Sequence, residues 1–324
     1  MRNGPFGSAS AHFFCAALLA ATALATKLSG PAPRPQQPPQ QGDAQSSILV
    51  SFNFNVRDKH DHPVENLSAS QIHISSDGKE QAIESLAPVR AQPISIVFLV
   101  QQSNSRRARP RGTVFYPELQ PALDCFRRLL ALGASVQVAE FDNEPKAEGG
   151  FSTAASDLFD SMQKLARSEP GGASALFDSL AWASKQVAGR TGYRAIIAST
   201  DGHDNLSKLN LSESVAEVQA AKASLYIVNL SHSETIVSDK LIHNETDILA
   251  ELARRTAGES QLLGDSSYGK RIFDRIAEDI MTSYNVSFRF ASPRPQTELP
   301  SLKVWVDGNH LKVFAPSGDY ALPH

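Results

Sequence analysis

Three polar segments of the chain lie beside predicted buried elements, where they could bind a ligand. They are residues 101–105 (Gln-Gln-Ser-Asn-Ser), 171–174 (Gly-Gly-Ala-Ser) and 200–202 (Thr-Asp-Gly). Together they offer hydroxyl groups, one carboxylate and exposed backbone. Ligands of open α/β sheets bind beyond the carboxyl ends of the strands, where such loops gather. The segments therefore predict a binding site at one edge of a sheet.

A run of arginines follows the first of these segments directly. It contains Arg106, Arg107, Arg109 and Arg111 in the sequence SRRARPR. The run is either a solvated loop or an anion-binding element. In the second case the guanidinium groups would meet an acidic protein partner through charge-assisted hydrogen bonds.

Two further sets of residues carry weaker signals. Asp58, His60 and His62 could be metal ligands, but they lie in a polar stretch between two strands, and a solvated turn is the favoured interpretation. Cys125 lies beside an apolar helical stripe. It is expected to be a small buried hydrophobic residue and not a nucleophile.

Catalytic patterns are sparse in this sequence. His203 stands near Asp201 and serines are plentiful, yet no Gly-x-Ser-x-Gly turn is present, which disfavours a Ser-His-Asp hydrolase. Gly171 and Gly172 are not followed by the Lys-Ser or Lys-Thr of a phosphate-binding loop. No catalytic residue is assigned, and the protein is expected not to be an enzyme.

Buried strands and amphipathic helices alternate through the middle of the chain. Strands are predicted at 94–100, 136–141, 195–199, 225–228 and 261–263, and helices at 117–132, 155–166, 176–187, 212–223, 248–256 and 272–281. Repeated units of this kind predict an α/β domain at 91–282, with a doubly wound, mostly parallel sheet.

Period-2 segments flank this domain on both sides. Residues 48–90 predict three or four strands with a turn at Asp77-Gly78, and residues 283–324 predict one strand followed by a hairpin around Asp307-Gly308. Neither region has enough strands to be comfortably stable alone. We therefore expect a single small β module into which the α/β domain is inserted.

The N-terminal residues 1–25 predict a secretory signal peptide. One arginine precedes the apolar run Phe13–Leu24, and residues 23–25 (Ala-Leu-Ala) form a cleavage pattern. The run is short and alanine-rich for a membrane span, so none is expected after cleavage; an uncleaved anchor is the alternative. Residues 26–47, rich in proline and glutamine, predict an extended linker. The mature protein is expected to be secreted or periplasmic.

The sequence resembles the von Willebrand factor A (VWA) domain, and in particular the VWFA-related proteins of acidobacteria. The resemblance covers roughly residues 48–320 and rests on ISIVFLVQQSNS, VQVAEFDNE, GGASALFDSLAWA, IIASTDGHDN, YNVSFRF and LKVFAPSGDY. Members usually carry a metal-ion-dependent adhesion site. In it an Asp-x-Ser-x-Ser loop, a threonine and an aspartate hold a divalent cation, and an acidic residue of the partner completes the coordination of that cation.

The resemblance implies which residues of this chain would form that site. They are Gln101, Ser103, Ser105, Ser174 and Asp201. Gln101 stands in place of the first aspartate, and Ser174 in place of the threonine. Mg²⁺ prefers six oxygens with anionic compensation, and the exchange of one of two carboxylates for an amide halves that compensation. The site is therefore expected to be degenerate, with weak binding of Mg²⁺ or another divalent cation.

Taken together, these features predict an exported binding or adhesion-type protein. Its contact surface would be the VWA-like loop edge, and its partner a protein. A structural scaffold of an envelope assembly is one alternative, and a hydrolase is a less favoured one. The net charge of −3 gives no reason to expect nucleic acid as a partner.

Overall fold

A computed structural model describes residues 47–102, 116–169, 171–231, 239–264, 266–291 and 301–319. The predicted signal peptide and nearly all of the linker lie outside these residues. Ser103, Ser105, Arg106, Arg107, Arg109 and Arg111 lie outside them as well. Among the described residues, no helix has both the length and the apolar character needed to cross a membrane.

The described residues form strands and helices in the following order. The first strands are β1 (Ser47–Arg57), β2 (Ile72–Ser76), β3 (Lys79–Gln81), β4 (Ile83–Pro88) and β5 (Ile94–Gln101). Then come α1 (Leu119–Leu130), β6 (Ala134–Phe141), β7 (Pro145–Ala147), α2 (Ala155–Arg167), α3 (Leu176–Ala188), β8 (Tyr193–Thr200), α4 (Leu211–Ala220) and β9 (Ala223–Asn229). The last are α5 (Asp239–Arg255), β10 (Ser260–Leu262), α6 (Ser266–Thr282), β11 (Tyr284–Ala291), β12 (Ser301–Val306), β13 (Lys312–Phe314) and β14 (Gly318–Asp319).

The central sheet has six strands in the order β10-β9-β8-β5-β6-β7. Its ladders are parallel except for β6 with β7, which is antiparallel. Ile96 and Phe98 pack toward α1, α2 and α6, whereas Val97 and Leu99 pack toward α3, α4 and α5. A strand buried on both faces is mostly apolar, which is why β5 shows a nearly continuous apolar run from Ile94 to Val100 that only Ser95 interrupts. The predicted doubly wound, mostly parallel sheet is confirmed.

Strands from both flanking regions pair with each other in two four-stranded sheets. One has the order β13-β1-β11-β4 and the other β14-β12-β2-β3. The longest ladder joins β1 to β11, from Ser47 opposite Ala291 to Phe54 opposite Tyr284. Between the sheets lies one apolar core, to which Phe52, Phe54 and Phe288 contribute. The prediction of a single β module that both flanking regions form is confirmed.

The predicted hairpin around Asp307-Gly308 is wrong. β12 pairs with β2 and β14, whereas β13 pairs with β1, where Val313 lies opposite Val56. The turn between β12 and β13 therefore carries the chain from one sheet of the module to the other. Five residues, 307–311, connect β12 and β13, so the connection is longer than a two-residue hairpin turn.

The polar face of β1 is also buried, against the α/β domain. Asn53 donates from Nδ2 to the carbonyl of Lys222 at 3.3 Å, and Arg57 donates to Asp279 of α6. Asn53, Asn55 and Arg57 are each 5% exposed or less. The two faces of β1 are thus buried in two different places. Its aromatic residues fill the β module, and its polar residues make the junction with the α/β domain.

Candidate functional site

The ends of β5 and β8 form the switch point of the central sheet. The two strands are parallel neighbours, and β5 leads toward α1 on one face while β8 leads toward α4 on the other. A crevice opens where neighbouring strands continue to opposite faces, and ligands of such folds bind there. Gln101 ends β5 and Thr200 ends β8, so the structure brings Gln101 of the first predicted segment to the third segment.

The side chain of Gln101 forms hydrogen bonds with the end of the neighbouring strand. Its side chain is 1% exposed, and its Oε1 accepts hydrogen bonds from Thr200 Oγ1 at 2.6 Å and from the backbone nitrogen of Asp201 at 2.9 Å. Its Nε2 makes no hydrogen bond of normal geometry within the described part of the chain. The amide therefore ties the ends of the two strands together through its only acceptor atom.

Asp201 is a half-buried carboxylate beside a histidine. Its Oδ1 accepts from the backbone nitrogen of His203 at 3.1 Å and lies 3.4 Å from Nδ1 of that ring. Burial raises the pKa of Asp201, but the contacts with His203 and the nearby Gln101 amide lower it by more, so the net pKa lies below its ordinary value. Asp201 is consequently an anion at neutral pH.

Ser174 lies in the loop before α3 and is tied to the loop after β8. Its backbone nitrogen donates to Asn205 Oδ1 at 2.8 Å, and its carbonyl accepts from the nitrogens of Asn205 and Leu206 at 3.0 and 3.1 Å. Its hydroxyl is buried and has no hydrogen-bond partner within the described residues. The structure thus brings Ser174 to the loop that Asp201 begins.

The loop after β8 also caps the start of α3. Asp204 Oδ2 accepts from the nitrogen of Phe177 at 2.9 Å, and Ser207 Oγ accepts from the nitrogen of Asp178 at 3.0 Å. In return, the Asp178 carboxylate accepts from the nitrogens of Lys208 and Leu209, both at 3.0 Å. The first amides of a helix have no partners inside it, so these contacts satisfy both elements. We call the surface of residues 171–174 and 201–209 the top face.

Sequence reasoning missed Asp178, Asp204 and Ser207 as residues that shape the site. Asp and Ser are common helix caps, but a cap normally lies next to the helix it serves. Here the capping groups come from about thirty residues further along the chain, since Asp178 and Leu209 are separated by 31 positions. The only signal was the density of Asp, Asn and Ser in DGHDNLS, which is also typical of any loop.

Two carboxylates that the prediction did not include lie at the same edge of the sheet. Asp142 follows β6, and its carboxylate accepts from the backbone nitrogens of Asn143 and Glu144. A Cβ on Gly171 would overlap that carboxylate, so the loop 171–174 requires glycine there. Glu118, just before α1, is fully buried, and its Oε1 accepts from Ser199 Oγ at 3.0 Å. Both carboxylates therefore accept hydrogen bonds from other groups of the chain.

The described residues fit a divalent cation poorly. The carbonyl oxygen of Gln101 already accepts two hydrogen bonds, and its remaining polar atom is a donor. Asp201 is the single carboxylate of the implied set, and an imidazole lies against it. Of the implied set, the described groups that could act as ligands are the buried hydroxyl of Ser174 and the single carboxylate of Asp201. A hard cation prefers several free oxygens and more than one negative charge.

The other candidates have structural roles. Asp58 Oδ1 accepts from the nitrogens of His60 and His62 at 2.8 and 2.9 Å, which makes a solvated turn. Within the described ranges, no three His, Cys, Asp or Glu side chains gather as metal ligands. Cys125 is fully buried, and burial raises the pKa of its thiol to about 12, so the prediction of an inert hydrophobic residue agrees with the structure.

Comparison with known proteins gives structural matches only. No model of a protein family matches the chain, and no curated protein matches its sequence. The PilB minor pilin from Streptococcus sanguinis is 12% identical, with a TM-score of 0.46 over 59% of this chain and 62% of the pilin. This chain thus spans only about 62% of that protein's length.

Two further solved structures carry the von Willebrand name. A von Willebrand factor type A protein from Catenulispora acidiphila is 11% identical, with a TM-score of 0.43 over 87% of this chain and 75% of that one. The vWF domain of the type V pili tip protein Mfa5 from Porphyromonas gingivalis is 13% identical, with a TM-score of 0.42 over 60% and 96%.

Proposed function

We propose that this chain is an exported binding protein that meets a protein partner through its top face and does so without a metal ion. The observation that carries the proposal is the reciprocal capping between the loop after β8 and the start of α3. It holds a loop at the switch point in one conformation. A preorganised loop loses little conformational entropy when a partner binds.

The side chains on that loop suit a protein contact. Leu206 is 48% exposed although two backbone hydrogen bonds, from its own nitrogen and that of Asn205, hold its position against Ser174. His203 is exposed beside the partly buried carboxylate of Asp201. An apolar anchor with polar groups at its rim is the usual composition of a binding hot spot.

The same geometry supports the part of the proposal that concerns metal independence. The Gln101 amide joins the ends of β5 and β8 by two hydrogen bonds, and His203 lies against the Asp201 carboxylate. These contacts fix the loop from within the chain. In this proposal, the partner contacts protein groups directly and a chelator has no effect on affinity.

The test compares two exposed leucines at different places in the fold. A partner is first captured from an envelope extract of the source cells, identified, purified and titrated against the native protein with and without EDTA. Leu206→Ser should weaken binding by roughly tenfold or more, because a leucine buried in an interface contributes about 1.5–3 kcal/mol. Leu132→Ser is the matched control, since Leu132 is 50% exposed in the turn after α1.

Two results would contradict the proposal. Equal affinities for the native, Leu206→Ser and Leu132→Ser proteins would place the contact elsewhere and favour a scaffolding role. Loss of binding in EDTA would show that a metal ion completes the site.

A further inference from the structure

The outer face of the β2-β3-β12 sheet carries a histidine between two acidic residues. In this sheet His73 of β2 lies opposite Trp305 of β12, and Glu80 of β3 lies opposite Ser75. Asp307 begins the turn that leaves β12. His73 therefore stands where three parts of the β module meet, two from the N-terminal region and one from the C-terminal region.

Both ring nitrogens of His73 contact a carboxylate. Nδ1 lies 2.8 Å from Glu80 Oε1, and Nε2 lies 3.1 Å from Asp307 Oδ1. A carboxylate only accepts hydrogen bonds, and a neutral imidazole has a single N–H to donate. Only the imidazolium satisfies both contacts at once. The geometry therefore requires a protonated ring.

The His73 ring also stacks on an aromatic side chain of β12. Trp305 stacks on His73 with ring centroids 5.2 Å apart and an interplanar angle of 11°, an arrangement that favours a cationic imidazole. Lys303 Nζ lies 6.0 Å from the Trp305 ring, on the same strand. The charged groups that contact His73 are thus Glu80 on β3 and Asp307 after β12, and the other ionisable residues of β12 and the turn after it are Lys303 and His310.

We propose that His73 is a pH-sensitive link within the β module. As an imidazolium it joins β2 to β3 through Glu80 and to the turn after β12 through Asp307, and it loses one of these two side-chain contacts when the ring loses its proton. The deprotonated ring keeps one donor, so one of the two carboxylates then faces a lone pair. Either β3 or the turn then keeps its backbone hydrogen bonds to the β2 region but loses its side-chain contact with His73. The device links regions 234 positions apart in sequence, His73 and Asp307.

The direction of the pH effect follows from the contacts. The hydrogen bond to Glu80 and then that to Asp307 raise the pKa of His73, while slight burial lowers it, so the folded pKa lies above the ordinary value of about 6.5. A raised folded pKa gives stability that is complete below the unfolded pKa and is lost as the pH rises through the folded one. Because Glu80 and Asp307 are 66% and 62% exposed, added salt should weaken the effect.

The first test is an NMR titration of the histidine rings in the full chain. His73 should titrate above the ordinary histidine pKa. Glu80→Gln and Asp307→Asn should each lower that value, and the double variant should lower it further. Glu84→Gln is the control, because Glu84 on β4 pairs with Arg289 and belongs to another sheet. A His73 pKa at or below the ordinary value, or one that ignores both variants, would overturn the proposal.

The second test asks whether the ring holds the backbone. Amide hydrogen exchange of Lys79–Gln81 and Asp307 is measured at pH values below and above the His73 pKa. The His73→Gln variant is measured at the same pH values, and the ratio of the two exchange rates removes the intrinsic pH dependence of exchange. The native chain should exchange more slowly than His73→Gln at low pH and equally fast at high pH. A constant ratio across the titration would show that His73 is a pH-independent packing residue.

Discussion

Arg57 and Asp279 form a buried ion pair at the junction between the β module and the α/β domain. Arg57 Nη2 lies 2.6 Å from Asp279 Oδ1, and the two side chains are 2% and 3% exposed. The same guanidinium reaches Glu278 at 3.1 Å. Two buried charges of opposite sign tolerate burial only while they are together. The pair therefore fixes where the end of β1 meets α6.

Removal of one partner should cost far more than removal of both. Arg57→Met leaves Asp279 buried without its counter-charge, and we expect a loss of about 3–5 kcal/mol in the free energy of unfolding. The double variant Arg57→Met, Asp279→Leu should recover much of this loss. Urea unfolding measures both. Arg254→Met, at an exposed ion pair with Glu251, is the control and should cost at most about 1 kcal/mol. Additive losses in the double variant would contradict this view of the pair.

A carboxylate at position 101 should raise the affinity of the chain for a divalent cation. Gln101→Asp places a second negative charge beside Asp201, and a charge pair at about 4 Å interacts by about 4 kcal/mol at an effective dielectric constant of about 20, before desolvation. A net gain of about 1.4 kcal/mol would raise affinity tenfold. Calorimetric titration with Mg²⁺ and Mn²⁺ measures the difference.

Gln101→Asn is the matched control for that experiment. It shortens the side chain equally and disturbs the same hydrogen bonds to Thr200 and Asp201, but it adds no charge. It should bind metal no better than the native chain. Tight metal binding by the native protein would show that the amide is tolerated as a ligand. No binding by Gln101→Asp would show that charge alone does not restore the site.

Loss of the C-terminal strands should unfold the β module. A chain that ends at Ser283 lacks β11, which carries Phe288 and Tyr284. The Phe288 ring lies 6.4 Å from the ring of Phe52, and Tyr284 stacks on Phe54 with ring centroids 5.5 Å apart. Burial of each such side chain contributes roughly 1.5–3 kcal/mol, so losing several uses up much of an ordinary stability margin. Thermal unfolding should shift to a lower temperature. An unchanged transition would mean that the two flanking regions are independent.

The features that the sequence predicted are those set by local pattern. The continuous apolar run of β5 and the helical spacing of Leu123 and Phe126 in α1 specify burial without knowledge of distant partners. The placement of Gln101 and Asp201 at one edge followed from the parallel sheet. Helix ends differ from the predicted ones by a few residues at most for α1 to α4, because amphipathic spacing fixes the body of a helix better than its ends.

The features that could not be predicted depend on contacts between distant residues. β7 has only three residues and begins with Pro145, so no alternation marks it. Val313 pairs with Val56, more than two hundred positions away, and the nearby turn suggested a hairpin instead. The capping of Phe177 by Asp204 likewise exists only once the sheet has brought two loops together.

The ladder between β1 and β11 has a consequence for the order in which the protein folds. β1 precedes every other strand and helix that the structure describes, yet Val50 pairs with Phe288, which is synthesised 238 positions later. The whole α/β domain must be present, and its ends close together, before that ladder can form. Non-local pairing of this kind is slow, because loop closure precedes the contacts that reward it. Until then the backbone of β1 lacks its β11 partner and the face that carries Phe52 and Phe54 lacks its cover, which exposes the incomplete chain to aggregation.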